Sequence, residues 1–122
     1  MAIVNQTLTT TQLDILEVPD DGSVPNGYAI TNILVCNTYD PDAGDAASHD
    51  AKFDLHLIPD GQSLENARTT VVRQLTLPAG ETFTFDSERV VLSPGDKVAF
   101  VAEPDLGSGS TDLAAMVSYL EV

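Results

Sequence analysis

In Phe53-Asp54-Leu55-His56-Leu57 apolar and polar side chains alternate one for one, and the run stops at Pro59-Asp60-Gly61. Successive side chains of an extended chain point to opposite faces, so this pattern suits a strand with one packed and one wetter face. Phe53, Leu55 and Leu57 are expected inside, Asp54 and His56 outside. The same logic puts Phe83 and Phe85 inside with Thr82 and Thr84 outside, and Val98 and Phe100 inside opposite Lys97 and Ala99.

Runs of this kind recur along the chain, which predicts strands over 3–8, 12–18, 29–38, 52–58, 70–77, 81–85, 89–92, 97–103 and 113–122. Turn residues separate them: Pro19-Asp20-Asp21-Gly22, Pro25-Asn26-Gly27, Asp60-Gly61, Pro78-Ala79-Gly80, Ser93-Pro94-Gly95-Asp96 and Gly107-Ser108-Gly109-Ser110. Proline presets φ and glycine permits positive φ, which a reversing chain needs. In Ser93-Pro94-Gly95-Asp96 the aspartate is expected to bond nearby amides and hold the turn shut. No helical pattern of ten residues is present, and Ser63-Leu64-Glu65-Asn66-Ala67-Arg68 is worth one turn at most. The expected fold is all-β, two antiparallel sheets packed as a sandwich, with the strand number favouring a jelly roll over an immunoglobulin-like arrangement. Its 122 residues make one domain, 1–122, large enough for a core without disulfides or metals.

The formal charge is −14, and no Lys or Arg precedes Lys52. Nucleic-acid binding works by neutralising phosphates with cationic side chains, so this balance argues against DNA, RNA and anionic membranes as partners. It suits solubility by self-repulsion, or steering toward a basic partner. No apolar run reaches eighteen residues and MAIVNQTLTTTQLD has no basic segment before an apolar one, so neither a membrane span nor a secretory signal is expected. The lone Cys36 sits in a strand pattern and is expected as a buried small hydrophobe.

Catalytic constellations are hard to find. His49 and His56 are the only histidines, no serine or cysteine stands in a nucleophile context beside them, and two histidines without a cysteine cluster do not make a zinc site. The loop 39–50 offers Asp40, Asp42, Asp45 and Asp50 as oxygen ligands, but its spacing fails the EF-hand template. Counted from Asp40, Gly44 falls where a ligand is wanted, Asp45 where the glycine is wanted, and no glutamate closes the twelfth position. The loop is expected to be mobile and solvated. No catalytic residue, cofactor-binding residue or metal ligand is assigned, and no enzyme activity is expected.

The segments AITNILVCNTY, FDLHLIPDGQS, LPAGETFTFDSERVVLSPGDKVAFVAEPD and AAMVSYLEV, in this order, resemble small β-sandwich virion proteins of tailed bacteriophages, especially those of marine bacteria and cyanobacteria. Their motifs are turn and core residues, so the resemblance transfers no catalytic residue. It implies a virion structural protein, a capsid decoration or cement protein on the outside of the major capsid protein lattice, made in the host cytoplasm and homo-oligomeric, for instance trimeric. The alternatives it leaves are a tail, neck or fibre component, including a receptor- or carbohydrate-binding one, and, from another class, a small hydrolase with carboxylates converging in a cleft. An N-terminal stretch such as Ala2 to Leu8, rich in threonine and β-branched residues, could pair as a strand with an edge on a capsid subunit. Calorimetric titration with calcium checks the reading of the acidic loop: no dissociation constant at or below about 10⁻⁵ M is expected.

Overall fold

The computed structural model describes residues 2–85, 90–103 and 112–122. Their strands, in chain order, are β1 (Ala2–Thr7), β2 (Leu13–Glu17), β3 (Tyr28–Asn37), β4 (Ala51–Ile58), β5 (Thr70–Leu77), β6 (Thr82–Phe85), β7 (Val90–Leu92), β8 (Lys97–Ala102) and β9 (Leu113–Glu121). Each lies within two residues of a strand expected from alternation. The start of the expected strand at Arg89 and the turn at Gly107-Ser108-Gly109-Ser110 lie outside the described residues. A 3-10 turn, Ala46–Ser48, inside the acidic loop had no sequence signal.

All strand pairs are antiparallel, and they form two sheets. The first has the order β1-β9-β3-β6, with β7 also paired to β3; the second has the order β2-β8-β4-β5. The β6 and β7 strands lie end to end along β3, opposite Ile33 to Cys36 and Tyr28 to Ile30 respectively. The expected two-sheet antiparallel sandwich is therefore present.

The core between the sheets is made by the residues the alternation singles out. Phe53, Leu55, Val98 and Phe100 are fully buried, together with Ile33 and Val35 of β3 and Leu113, Ala115 and Val117 of β9. Phe53 meets Phe83 of the opposite sheet at 5.6 Å between ring centroids and Phe100 of its own sheet at 6.1 Å, both tilted, the arrangement ring quadrupoles favour. Leu57, Phe83 and Phe85 face the core from its rim and are only partly buried.

Turns close as their residue types demand. Gly27 has φ +81°, and a side chain there would overlap the carbonyl oxygen of Leu92. Asp96 accepts from the amide of Ser93 at 2.9 Å, as the sequence suggests, and from the amide of Asp60 at 2.8 Å. It thus ties the β7–β8 turn to the turn after β4. Asn37, fully buried at the end of β3, donates to the carbonyls of His49 at 2.7 Å and Leu77 at 2.9 Å and accepts from the amide of Tyr39 at 3.1 Å. One side chain so joins the first sheet to the end of β5 in the second.

The wetter face of β4 is the main departure from expectation. Asp54 is 2% exposed, His56 and Ala99 are fully buried, and Thr69 of the β4–β5 connection sits against His56. Alternation tells which face a residue takes; it carries no information about a connection folding back over the outer face. Phe100→Ala removes a ring from the centre of the core and is expected to cost about 3 to 5 kcal/mol, measured as the shift in urea unfolding free energy.

Candidate functional site

Formal charge is sorted between the two outer faces. On the second sheet, residues opposite the core-facing set include Asp14, Glu17, Lys52, Asp54, Arg73 and Lys97, with Lys97 Nζ 3.6 Å from Asp14 Oδ2. On the first sheet, Val4 of β1, Leu113, Ala115, Val117 and Tyr119 of β9, Ile33 and Val35 of β3, and Phe83 and Phe85 of β6 face the core. The side chains between them face outward in cross-strand rows. One row is Thr7, Ala114, Cys36 and Thr82; the next is Asn5, Met116, Leu34 and Thr84; then come Ile3, Ser118 and Asn32, and finally Leu120, Ala29 and Val91.

No Asp, Glu, Lys or Arg stands in these rows, although the chain carries −14. Ile3 is 63% exposed and Val91 58%, and Met116 and Leu120 are also exposed. The centre of the face is a shallow concavity of about 420 Å³ over Leu34, Cys36, Thr82, Ala114 and Met116. Cys36 is therefore half-buried on the outer face, where a core position was expected. Its odd-numbered neighbours on β3 took the core side, and period two leaves it the other. Each segment of this face reads as an ordinary strand; the signal that was available, the lack of charge at alternate positions of five separate strands, becomes visible only once the strands are aligned.

Carboxylates converge at one place. Opposite Asp54, β5 carries an extra residue, and Gln74 adopts φ +49°. Asp54 Oδ1 accepts from the Gln74 amide at 2.6 Å, and Oδ2 from Arg73 Nη1 at 3.2 Å, which lies 3.9 Å from Glu103 Oε1. The hydrogen bond to Asp54, with burial behind it, holds the Glu103 carboxyl above its usual range. Both Asp54 oxygens are engaged in clamping the bulge.

Beside it, His56 Nδ1 lies 2.9 Å from Thr69 Oγ1. Thr69 gives its proton to the Glu65 carbonyl at 2.9 Å while accepting the Glu65 amide at 3.0 Å, so Nδ1 of His56 is the donor and Nε2 keeps a bare lone pair. Nε2 is buried without a partner among the described residues. Burial, and then Arg73, push the His56 pKa down, with Asp54 opposing them.

Most side chains of the acidic loop are exposed, as expected of a solvated segment, and contacts tie it at several points. The Tyr39 hydroxyl donates to Asp45 Oδ1 at 2.6 Å, which lowers the Asp45 pKa and raises that of Tyr39. The Tyr39 ring stacks on His49 at 3.6 Å, and the two His49 nitrogens lie 3.4 Å from Asp45 and from Asp112 respectively. Asp40 accepts from the amide of Asp42 at 2.9 Å. Among the described residues no group of three or more His, Cys, Asp or Glu side chains is placed to hold a metal ion. Asp40, Asp42 and Asp50 are exposed and do not join Asp45 at a common point.

Comparison with protein-family models and with curated proteins finds no match for this chain. The buried histidine gives a measurable consequence. The unfolded chain takes up a proton at His56 near the ordinary value of about 6.5, the folded chain only at lower pH. Below that value the unfolded state binds more protons, so stability is lost as pH falls. Glu103 is shifted the other way and favours the fold as pH drops into the carboxylate range. The urea midpoint of the wild-type protein is expected to fall between about pH 7.5 and 5.5, and His56→Gln to flatten that slope.

Proposed function

We propose that the chain is a structural protein of a tailed-phage virion, a decoration protein on the outside of the capsid lattice, held there by the uncharged outer face of its first sheet. The observation that carries this reading is the sorting of charge. Among the described residues, this −14 chain keeps one broad sheet face free of formal charge, with Ile3, Met116, Leu120 and Val91 exposed on it. Exposed apolar surface rimmed by polar groups marks interaction sites, and this one spreads over five strands well beyond its shallow central concavity, a breadth that suits a lattice. The anionic remainder keeps free copies apart in solution.

The same proposal takes the sandwich to be a jelly roll. Counting β6 and β7 as one interrupted strand, the sheets read 1-9-3-6 and 2-8-4-5, so successive strands change sheet at every connection except β4 to β5. Two interleaved Greek keys have this order. An immunoglobulin-like sandwich pairs its first two strands in one sheet, whereas β1 and β2 belong to different sheets here. The jelly roll is an architecture of viral capsid domains among others, which adds support from the fold to the resemblance in the turn and core motifs.

Apolar contact predicts a particular salt response. Screening lengths near marine ionic strength are about 4 Å, so attraction between the anionic surface and basic capsid groups is weak there, while burial of apolar area is undiminished. Removing residues 1–8 is a poor test, because Val4 and Leu8 pack into the core. Met116→Asp is a better one: its side chain faces outward, and an unpaired carboxylate in an apolar interface costs more than the about 1.4 kcal/mol of a tenfold change. In co-sedimentation with capsids stripped of this protein, wild-type binding is expected to persist at high salt and Met116→Asp to bind at least about tenfold more weakly. Binding that vanishes at high salt would give the hold to charge, and binding to tails in place of capsids would move the protein to the tail or neck.

A further inference from the structure

Of the four sheet edges, three carry features that discourage another strand from adding. The β2 strand has Asp14, Glu17 and a register shift, β5 has Arg73 and two shifts, and the β6 and β7 edge is split into pieces of four and three residues. Charges, bulges and short strands are the usual means of protecting an edge. The six-residue β1, Ala2-Ile3-Val4-Asn5-Gln6-Thr7, has no charge, no proline and no register shift, and is exposed at every position except the half-buried Val4.

We propose that this edge pairs with the β1 edge of a second copy of the chain, antiparallel about a two-fold axis through Asn5. The register follows from backbone directions. The Leu8 amide donates to the Leu113 carbonyl at 2.9 Å, continuing the pairing of Thr7 with Ala114. Bonded and non-bonded pairs alternate along an antiparallel ladder, so Ala2, Val4 and Gln6 bond β9 while Ile3, Asn5 and Thr7 turn their N–H and C=O groups to the open side. These three residues are symmetric about Asn5. A second β1 in this register sets Ile3 against Thr7, Asn5 against Asn5 and Thr7 against Ile3, each as a bonded pair, and satisfies every open backbone group.

The second copy fits for two further reasons. Two −14 chains meet along strands without charge, so no like charges stand opposite one another. The side chains of Ile3, Asn5 and Thr7 all lie on the uncharged outer face, which the junction extends across both copies as one continuous surface. A junction one strand wide and about 20 Å long buries far less than the roughly 1,000 Å² of a stable interface. The dimer is therefore weak in dilute solution and forms where copies are concentrated, as on a lattice, with effective concentrations of about 1 mM. Only that last point rests on the capsid reading.

Sedimentation velocity of the intact protein, at concentrations up to about 1 mM and at low and high salt, tests the junction. A monomer–dimer equilibrium that strengthens with salt is expected. Asn5→Pro removes an amide directed away from β9, which an edge strand tolerates, and is expected to weaken the dimer at least tenfold with unchanged circular dichroism. Asn5→Asp sets two carboxylates side by side on the axis; it is expected to dimerise poorly at neutral pH and to recover below about pH 4, where carboxylates protonate. Amide exchange gives an independent readout: Ile3, Asn5 and Thr7 become protected as concentration rises, while Val4 and Gln6 are protected throughout. A monomer at every concentration, a trimer, or a dimer indifferent to both substitutions would overturn the proposal. A wild-type monomer that still binds capsids would remove the junction alone, and a dimer that ignores capsids would remove the docking reading alone.

Discussion

Phe53 touches both sheets at once, against Phe83 across the sandwich and Phe100 beside it, and the arrangement of the molecule depends on that contact across the core. Neither sheet can bury its apolar face alone. Burial of aromatic rings and branched side chains between them supplies the driving force, at roughly 25 cal/mol per Å² of apolar surface. Each strand must then keep its period-two register, since a slip of one residue would turn its core side chains into water. The bulge in β5 opposite Asp54 absorbs an extra residue without disturbing the core: Leu75 still faces Phe53 and Val72 still faces Leu55.

Buried polar groups do the joining that apolar contact cannot. Asn37 ties the end of β3 to the end of β5 and to the acidic loop, with its donors and its acceptor all used. Asp96 ties two turns together, and Asp54 clamps the bulge through the Gln74 amide and Arg73. A buried polar group left unpaired costs about 1 to 3 kcal/mol, so such ties define one arrangement where hydrophobic burial alone would accept several. Thr31 Oγ1, Asn32 Oδ1 and His56 Nε2 are exceptions, buried without a partner among the described residues, and the depressed pKa of His56 is the one that bears on acid stability.

The two outer faces follow from the same sheets but divide the chemistry. The second sheet presents Asp14, Glu17, Lys52 and Lys97 with the covered Asp54 and His56, while the first presents threonines, asparagines and small or apolar side chains. An uncharged face that ends in an uncharged edge is a surface on which strongly anionic copies can approach a partner, or each other, without like charges meeting.

The sequence by itself determined the all-β class, the strand positions, the inward side of β4, β6 and β8 and the chemistry of the turns, because period two and the Pro-Gly turn code act within a few residues. Asp96 closing its own turn is local in this sense; its bond to the amide of Asp60 is not. Only the tertiary structure decided which strands became neighbours, and with them the uncharged face, since Thr7, Ala114, Cys36 and Thr82 share a row only after four distant strands align. It also decided that Asp54, His56 and Ala99 are covered, that Cys36 faces outward and that His49 lies between Asp45 and Asp112. These features arise from pairings across long stretches of chain and from connections folding back over a sheet. Alternation along one strand is blind to both.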